Sequence, residues 1–270
     1  MDMFAAEFND FCKQFVLQKQ YKLVDGKFGK VSVYKHVPTQ KELLVKYIKS
    51  KAFNAIEPYV HFLMKNNKYY VNLYYSFNWL RGHLLIMDFV KEGDLFDLLK
   101  RQRLNEDEIR FIVFQVAEAV DALHAYKIIH NDIKLENVLC DNKLKIRLCD
   151  YGLCQHINTK SKYDGTVEYF SPEKIEERMY DTHFDWWAIG ILIYELCTNQ
   201  NHPYKRNKDE NLSIGVLKTR QQSYKIQYPK NLSVTVQSLI NNMLKYNLNY
   251  RLANFKQIKQ HVFFKNFLEL

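Results

Sequence analysis

No apolar run in this chain approaches the roughly 18 residues that a membrane-spanning helix requires, so no span and no membrane partner are expected. No charged-then-apolar leader opens it, and no secretory signal is expected. Cysteines are few: Cys12, Cys140, Cys149, Cys154 and Cys197 are an odd number without paired metal spacing. They read as the reduced thiols of an intracellular protein. No internal repeat or low-complexity linker divides the chain, although Lys, Asn and Tyr are frequent in its last third. A basic tract is also missing. The net charge of +9 is scattered, which favours a solvated basic surface and leaves at most nonspecific nucleic-acid binding. What is present is 270 residues with 47% hydrophobic content, enough for a sizeable core in one large domain or two lobes.

The most informative stretch is Ile128 to Leu139, I-I-H-N-D-I-K-L-E-N-V-L. It places Asp132, Lys134 and Asn137 in a short turn between apolar runs, and a second acidic turn, Asp150-Tyr151-Gly152, follows. Either turn alone could be an ordinary Asx turn. Together they hold what phosphoryl transfer requires: a carboxylate for a hydroxyl proton, a cation for phosphate, and an amide plus a second carboxylate for magnesium.

Around this centre, Phe4, Phe8, Phe11 and Phe15 fall on one face of an amphipathic helix expected over residues 2–19. That face packs on the body of the protein or makes a homodimer contact. From Tyr21 the texture alternates, and Gly26, Phe28, Gly29 and Val31 lie in an expected hairpin whose glycines permit close backbone approach. Lys46 sits in the apolar run Leu43–Lys46, where a lone cation is costly unless paired. Glu57 is the only acidic side chain between Lys46 and residue 80. Asn54 is expected to cap a short helix with Glu57 as its reciprocal partner, and Pro58 confines Glu57 to the first turn. Strands are expected at Val71–Phe77 and His83–Val90, then a polar break at Lys91–Asp94 that serves as a hinge. Met87, Asp88, Val90 and Asp94 line that connector, whose backbone groups can hydrogen-bond an adenine edge. Asn105 to Glu108 caps a long helix whose apolar stripe runs Ile109, Ile112, Val113, Val116, Val120 and Leu123. Further on, Gly165 to Glu173 reads G-T-V-E-Y-F-S-P-E, Asp185 opens an apolar helix, and Arg251 is the expected partner of Glu173.

These motifs run in order from about Tyr21 to Phe264. They resemble H-R-D-x-x-x-x-N, D-F-G, the glycine-rich loop and A-P-E of the eukaryotic-type protein kinase superfamily. More narrowly, K-L-V-D-G-K-F-G-K-V-S-V, N-A-I-E-P, C-D-Y-G-L-C and F-S-P-E-K-I resemble the serine/threonine kinases of baculoviruses. The resemblance implies an α+β, bilobal fold: a leading helix at 1–20, a β-rich lobe with one main helix at 21–90, and a mainly helical lobe at 91–270. It implies ATP and Mg2+ (or Mn2+) as cofactors, bound between the lobes. By motif, Asp132 would be the catalytic base and Lys134 would steady the transferred phosphate. Asn137 and Asp150 would hold metal, and Lys46, held by Glu57, would bind nucleotide phosphates. Glu173, Arg251 and Asp185 would be structural. Lys134 and Thr166 resemble the serine/threonine class, and Leu153 after D-Y-G resembles kinases that prefer serine.

Four departures and matches bear on regulation and substrate. Val24 replaces the first loop glycine. Asn131 replaces the arginine that grips a phosphorylated activation segment, and Lys162 stands where that phosphate is commonly carried, so no activating phosphate is expected there. Asp94, Glu136 and Glu195, with Thr166, stand where arginine-directed kinases bind substrate, and carboxylates there can take guanidinium groups bidentately. The implied partner is an Arg/Ser-rich protein such as a viral protamine-like DNA-condensing protein, met in the host nucleus and cytoplasm or packaged in the virion. The rival readings are a catalytically weak pseudokinase scaffold, a dimerising module and a small-molecule phosphotransferase.

Overall fold

A computed structural model describes residues 10–19 and 29–265. The expected glycine-loop residues Val24, Gly26 and Phe28, and Phe4 and Phe8 of the leading stripe, lie outside the described residues. The chain divides into two compact units, Met1–Lys91 and Glu92–Leu270, one residue later than the expected boundary.

In the first unit, β-branched and aromatic residues in alternation build an antiparallel sheet. Its strands are β1 (Phe15–Leu17), β2 (Gly29–His36), β3 (Lys41–Lys49), β4 (Leu73–Trp79) and β5 (Gly82–Asp88), in the order β1-β2-β3-β5-β4. The register sets Lys46 of β3 between Val31 of β2 and Leu85 of β5. Val33, Leu43, Ile48 and Leu85 supply the buried face, and helix α1 (Ile56–Leu63) belongs to the same unit.

The leading helix expected through residue 19 is corrected: the helical residues end at Lys13 and Phe15 lies in β1. Strand pairing Phe15↔His36 to Leu17↔Tyr34 satisfies backbone groups that a helix end would leave open. Phe11 still packs inward, its ring 5.0 Å from Phe15 and 4.8 Å from Tyr75. The expected strand at Val71 begins instead at Leu73, because Asn72 turns its amide to the Asp88 carboxylate at 2.9 Å.

The second unit contains helices α2 (Leu95–Arg101), α3 (Glu106–His124), α4 (Pro172–Ile175), α5 (His183–Thr198), α6 (Ile214–Ser223), α7 (Val234–Met243) and α8 (Phe255–Lys259). Short strands β6 (Ile128–Ile129), β7 (Val138–Cys140), β8 (Ile146–Leu148) and β9 (Gln155–His156) pair as β6–β9 and β7–β8. The α3 capping box forms as expected: Asn105 accepts from Glu108 N at 2.9 Å and Glu108 returns to Asn105 N at 2.8 Å. Its whole apolar stripe is buried, each large side chain contributing about 1.5–3 kcal/mol. α3 packs on α5, a helix buried on nearly every side, as its unbroken apolar sequence requires.

Candidate active site

In the first unit, Lys46 Nζ donates to Glu57 Oε1 at 2.7 Å, with the lysine 13% and the glutamate 3% exposed. The pairing resolves the cost of a cation inside an apolar strand. Glu57 reaches it from the first turn of α1, the turn to which Pro58 restricts it. Ala55, one residue later than expected, is the N-cap of α1 and makes no side-chain cap hydrogen bond; Asn54 Oδ1 accepts from Ile56 N at 3.2 Å, and Glu57 Oε1 accepts from Lys46 Nζ. Val31 lies directly across from Lys46 in the register, and Met87 is buried opposite Leu44. The Asp88 side chain is engaged within its own unit, accepting from Tyr74 O–H at 2.6 Å and Asn72 Nδ2 at 2.9 Å, and its backbone N–H donates to Asn72 O at 3.0 Å. Val90 is half-buried just beyond β5.

In the second unit the stretch Ile128–Leu139 forms a loop held from below by α5. Asp185 accepts from His130 N at 2.7 Å, Asn131 N at 2.8 Å and His124 Nε2 at 2.8 Å. Burial alone would raise this carboxyl; His124, His130 and the Asn131 N–H overcome that and hold it below its ordinary value. Asn131 takes a left-handed backbone, φ 68°, which asparagine tolerates better than most residues. The loop therefore delivers Asp132 in a fixed place. Thr166 Oγ1 donates to Asp132 Oδ1 at 2.8 Å, and Lys134 Nζ lies 3.1 Å from Asp132 Oδ2 and 2.9 Å from Thr166 Oγ1. A carboxylate, a cation and a hydroxyl meet at one point, the arrangement needed to accept a hydroxyl proton beside a transferring phosphate.

The β7–β8 hairpin explains the spacing of the two turns. Val138 pairs with Leu148, and Cys149 N donates to Asn137 O at 3.1 Å, so Asn137 and Asp150 flank the same end of the hairpin. Asn137 Nδ2 is turned to Asp132 O and Oδ2, at 2.7 and 3.0 Å, which directs its amide oxygen the other way. Asp150 adopts φ 60° at the turn that follows β8. The buried Tyr151 ring carries an extra hydroxyl relative to phenylalanine, and it donates to Leu148 O at 2.5 Å.

The protein kinase domain model matches residues 17–264. The chain belongs to the protein kinase family. It is 49% identical over 265 residues to serine/threonine-protein kinase 1 of Heliothis zea nuclear polyhedrosis virus, spanning 97% of this chain and 98% of that protein. Against the protein of the same name from Lymantria dispar multicapsid nuclear polyhedrosis virus it is 45% identical, spanning 98% and 97%. The fold is similar to that of the Cydia pomonella granulovirus kinase PK-1, with TM-score 0.88 and 34% identity over 98% of this chain and 99% of that one. This protein is a serine/threonine kinase with a sheet-rich and a helical unit.

Kinases use ATP with a divalent metal, and the kinase's donors fit such an ion. The Asn137 amide oxygen and the Asp150 carboxylate would hold it, hard oxygen donors of the kind that suit a magnesium-type ion also taking phosphate and water oxygens. No cluster of three or more His, Cys, Asp or Glu able to hold a metal occurs among the described residues, so a dedicated cage of the zinc type is not what they form. When bound, the ion neutralises phosphate charge; the chain's own part is to fix the two ligands against Asp132.

Of the expected substrate residues, Glu136, Thr166 and Glu195 border one cavity of about 340 Å3, together with Glu168, Tyr169 and Lys205. Burial pushes the Glu195 carboxyl up to about 8; the Tyr169 hydroxyl, which donates to it, and Lys205 oppose this, while Glu136 and Glu168 add to it. Lys205 Nζ stands 3.6 Å from Glu168 Oε1. Asp94 is the N-cap of α2, accepting from Asp97 N at 2.8 Å, and burial and the Asp97 and Glu136 charges raise its carboxyl. The structural pair forms as expected: Arg251 donates to Glu173 at 2.8 and 2.9 Å, both side chains buried.

Sequence reasoning missed the partners of Asn131. Its Nδ2 donates to Leu153 O at 2.9 Å and to Asp164 Oδ1 at 3.0 Å, and its Oδ1 accepts from Lys174 Nζ. Lys174 directly follows the S-P-E segment and is 3% exposed, a burial that only the folded structure reveals. Tyr169, the hydroxyl partner of Glu195, also passed unnoticed.

Proposed function

We propose that this kinase transfers the γ-phosphate of ATP to serine, less readily to threonine, in arginine-rich basic proteins of the protamine-like, DNA-condensing class. It acts without a phosphate on its own activation segment. The observation that carries the substrate class is the cavity where Glu136 and Glu168 gather beside Thr166, which itself touches Asp132, with Glu195 adding its charge as it ionises at about pH 8. A protein of net charge +9 meets a cationic substrate productively only through such local negative charge. Adding phosphates to a DNA-condensing protein lowers its charge and weakens its counterion-driven hold on DNA. Phosphate independence is supported by the segment's own residues: Ser161 is buried, the Thr159 hydroxyl is occupied by His156 O at 2.7 Å, and Lys162 cannot accept phosphate.

We place this activity in the infected cell's nucleus and cytoplasm, and in the virion, as the baculovirus resemblance implies. Phosphorylation of an arginine-rich serine peptide, of its arginine-to-alanine form and of its serine-to-threonine form, with Mg2+ and with Mn2+, tests the reading. Asp132→Ala is the inactive control. Equal rates on the first two peptides would overturn the substrate class, and equal rates on serine and threonine the acceptor preference.

A further inference from the structure

The activation segment is fastened to the catalytic loop by an acidic side chain that the kinase motifs do not include. We infer that Asp164 is the segment's built-in anion, a positioning residue that sets Thr166 against Asp132 and makes a segment phosphate unnecessary. The inference rests on the phosphate-independent reading above and names the group responsible for it.

Asp164 collects donors from separate pieces of the second unit. Tyr180 O–H lies 2.8 Å from both carboxylate oxygens, Asn131 Nδ2 is 3.0 Å from Oδ1, Gln155 Nε2 is 3.2 Å from Oδ2, and Lys174 Nζ is 3.2 Å from Oδ1. An anion with several converging charge-assisted and neutral hydrogen bonds is what a phosphate provides when it orders a segment. Here a carboxylate of the chain does so permanently. Lys174 closes the network: its ammonium also donates to Asn131 Oδ1 and to the Asp164 carbonyl, and lies 4.5 Å from the centre of the Phe170 ring. Burial works against ionised Asp164, yet its partners hold the carboxyl below its ordinary value.

The link from Asp164 to the chemistry is short. Gly165 follows with φ 99°, and a Cβ there would lie 3.0 Å from Asn131 O and 3.3 Å from Asp132 Oδ1. The segment thus runs flat against the catalytic loop for one residue, then Thr166 donates to Asp132 and accepts from Lys134. Fixing Asp164 fixes the approach of Thr166. The same Asn131 that anchors Asp164 sits directly before the base, so loop and segment share one set of hydrogen bonds.

The test uses the full chain, freed of phosphate by phosphatase and checked by intact mass, assayed on an arginine-rich serine peptide. Wild type is expected to keep its full rate. Asp164→Asn is expected to lower kcat about a hundredfold through misplacement of the segment, with KM for ATP unchanged. In a Thr166→Ala background the same substitution should add less than about threefold, because both changes act on one contact. Asp164→Asn with Lys174→Met should stay low. Recovery in that double variant would mean that the pair only cancels its own buried charges, and would overturn the inference. So would independent, multiplying losses with Thr166→Ala. Tyr180→Phe, which deletes one donor and keeps the ring, is expected to lower kcat about tenfold, and it decides the matter if Asp164→Asn does not fold; an unchanged kcat there counts against the inference. An inactive phosphate-free wild type refutes the phosphate-independent reading itself. An active wild type beside an equally active Asp164→Asn refutes only the role of Asp164.

Discussion

If the proposed preference for arginine holds, Glu195 is the residue whose ionisation state would govern it. Its carboxyl stands at about 8 against an ordinary 4.5, raised by burial and by Glu136 and Glu168. The sign follows directly: below about pH 8 the proton stays on, and a guanidinium must displace it before a charged pair can form. At pH 7 about one molecule in eleven carries the anion, so capture of an upstream arginine is weakened about tenfold relative to pH 9. A carboxylate–guanidinium hydrogen bond contributes about 1.5–3 kcal/mol, roughly 10- to 150-fold in selectivity. The assay is kcat/KM for an arginine-bearing peptide divided by that for its alanine form, from pH 6.5 to 9.5, so that ionisations common to both peptides cancel. The ratio should climb about tenfold between pH 7 and pH 9 and level off above pH 9 in wild type, and should be low and flat in Glu195→Gln. A wild-type ratio independent of pH, or a Glu195→Gln ratio equal to wild type, would refute the argument that Glu195 reads arginine.

Other perturbations address the remaining parts of the site. Gly165→Ala forces a side chain onto the Asn131 carbonyl, which is backbone and cannot move aside, and adds strain at φ 99°; kcat should fall at least about tenfold, with about 1–3 kcal/mol lost from stability by denaturant titration. Arg251→Met leaves Glu173 buried without its partner, at a cost of about 3–5 kcal/mol, read as a fall in Tm of roughly 6–20 °C and partly recovered by adding Glu173→Gln. Glu57→Gln removes the charge that holds Lys46 and should raise KM for ATP about tenfold, while KM for peptide stays level. Asn131→Arg, which restores the usual kinase residue, should lower kcat rather than raise it. Arginine has no acceptor for Lys174, and it adds a second cation beside the one already there.

The chemistry was legible in the sequence where it is local. Asp132, Lys134 and Asn137 fall within six residues of one another, and the hairpin that brings in Asp150 announces itself as two short apolar runs. Lys46 and Glu57 could be paired by elimination, since no other acid was near. The leading helix failed because the phenylalanine spacing carries no information about the free edge of β2, which captured Phe15. The N-cap of α1 falls at Ala55, one residue past Asn54, while the Glu57 carboxylate accepts from Lys46. Asp164, Lys174 and Tyr180 were invisible for another reason: they belong to no motif, and only the folded segment brings them to Asn131.

Asn131 joins two anchors that would otherwise be separate. Through its backbone N–H it is held by Asp185 of α5, and through its side chain it holds Asp164 of the activation segment. Both carboxyls are held below their ordinary values against burial, Asp185 by His124 together with this loop and Asp164 by Asn131 of this loop together with Lys174 and Tyr180. An arginine at this position serves a segment whose anion comes and goes, because its charge can seek a phosphate and release it. An asparagine offers one donor group and one acceptor of fixed reach, which suits an anion that is always present and a lysine that always accompanies it. The substitution that looks like a defect in the H-R-D motif is therefore half of a matched exchange. The other half is the carboxylate at residue 164, which meets Asn131 and Lys174; under the proposed phosphate-independent reading, the pair trades a switchable segment for one set permanently in place.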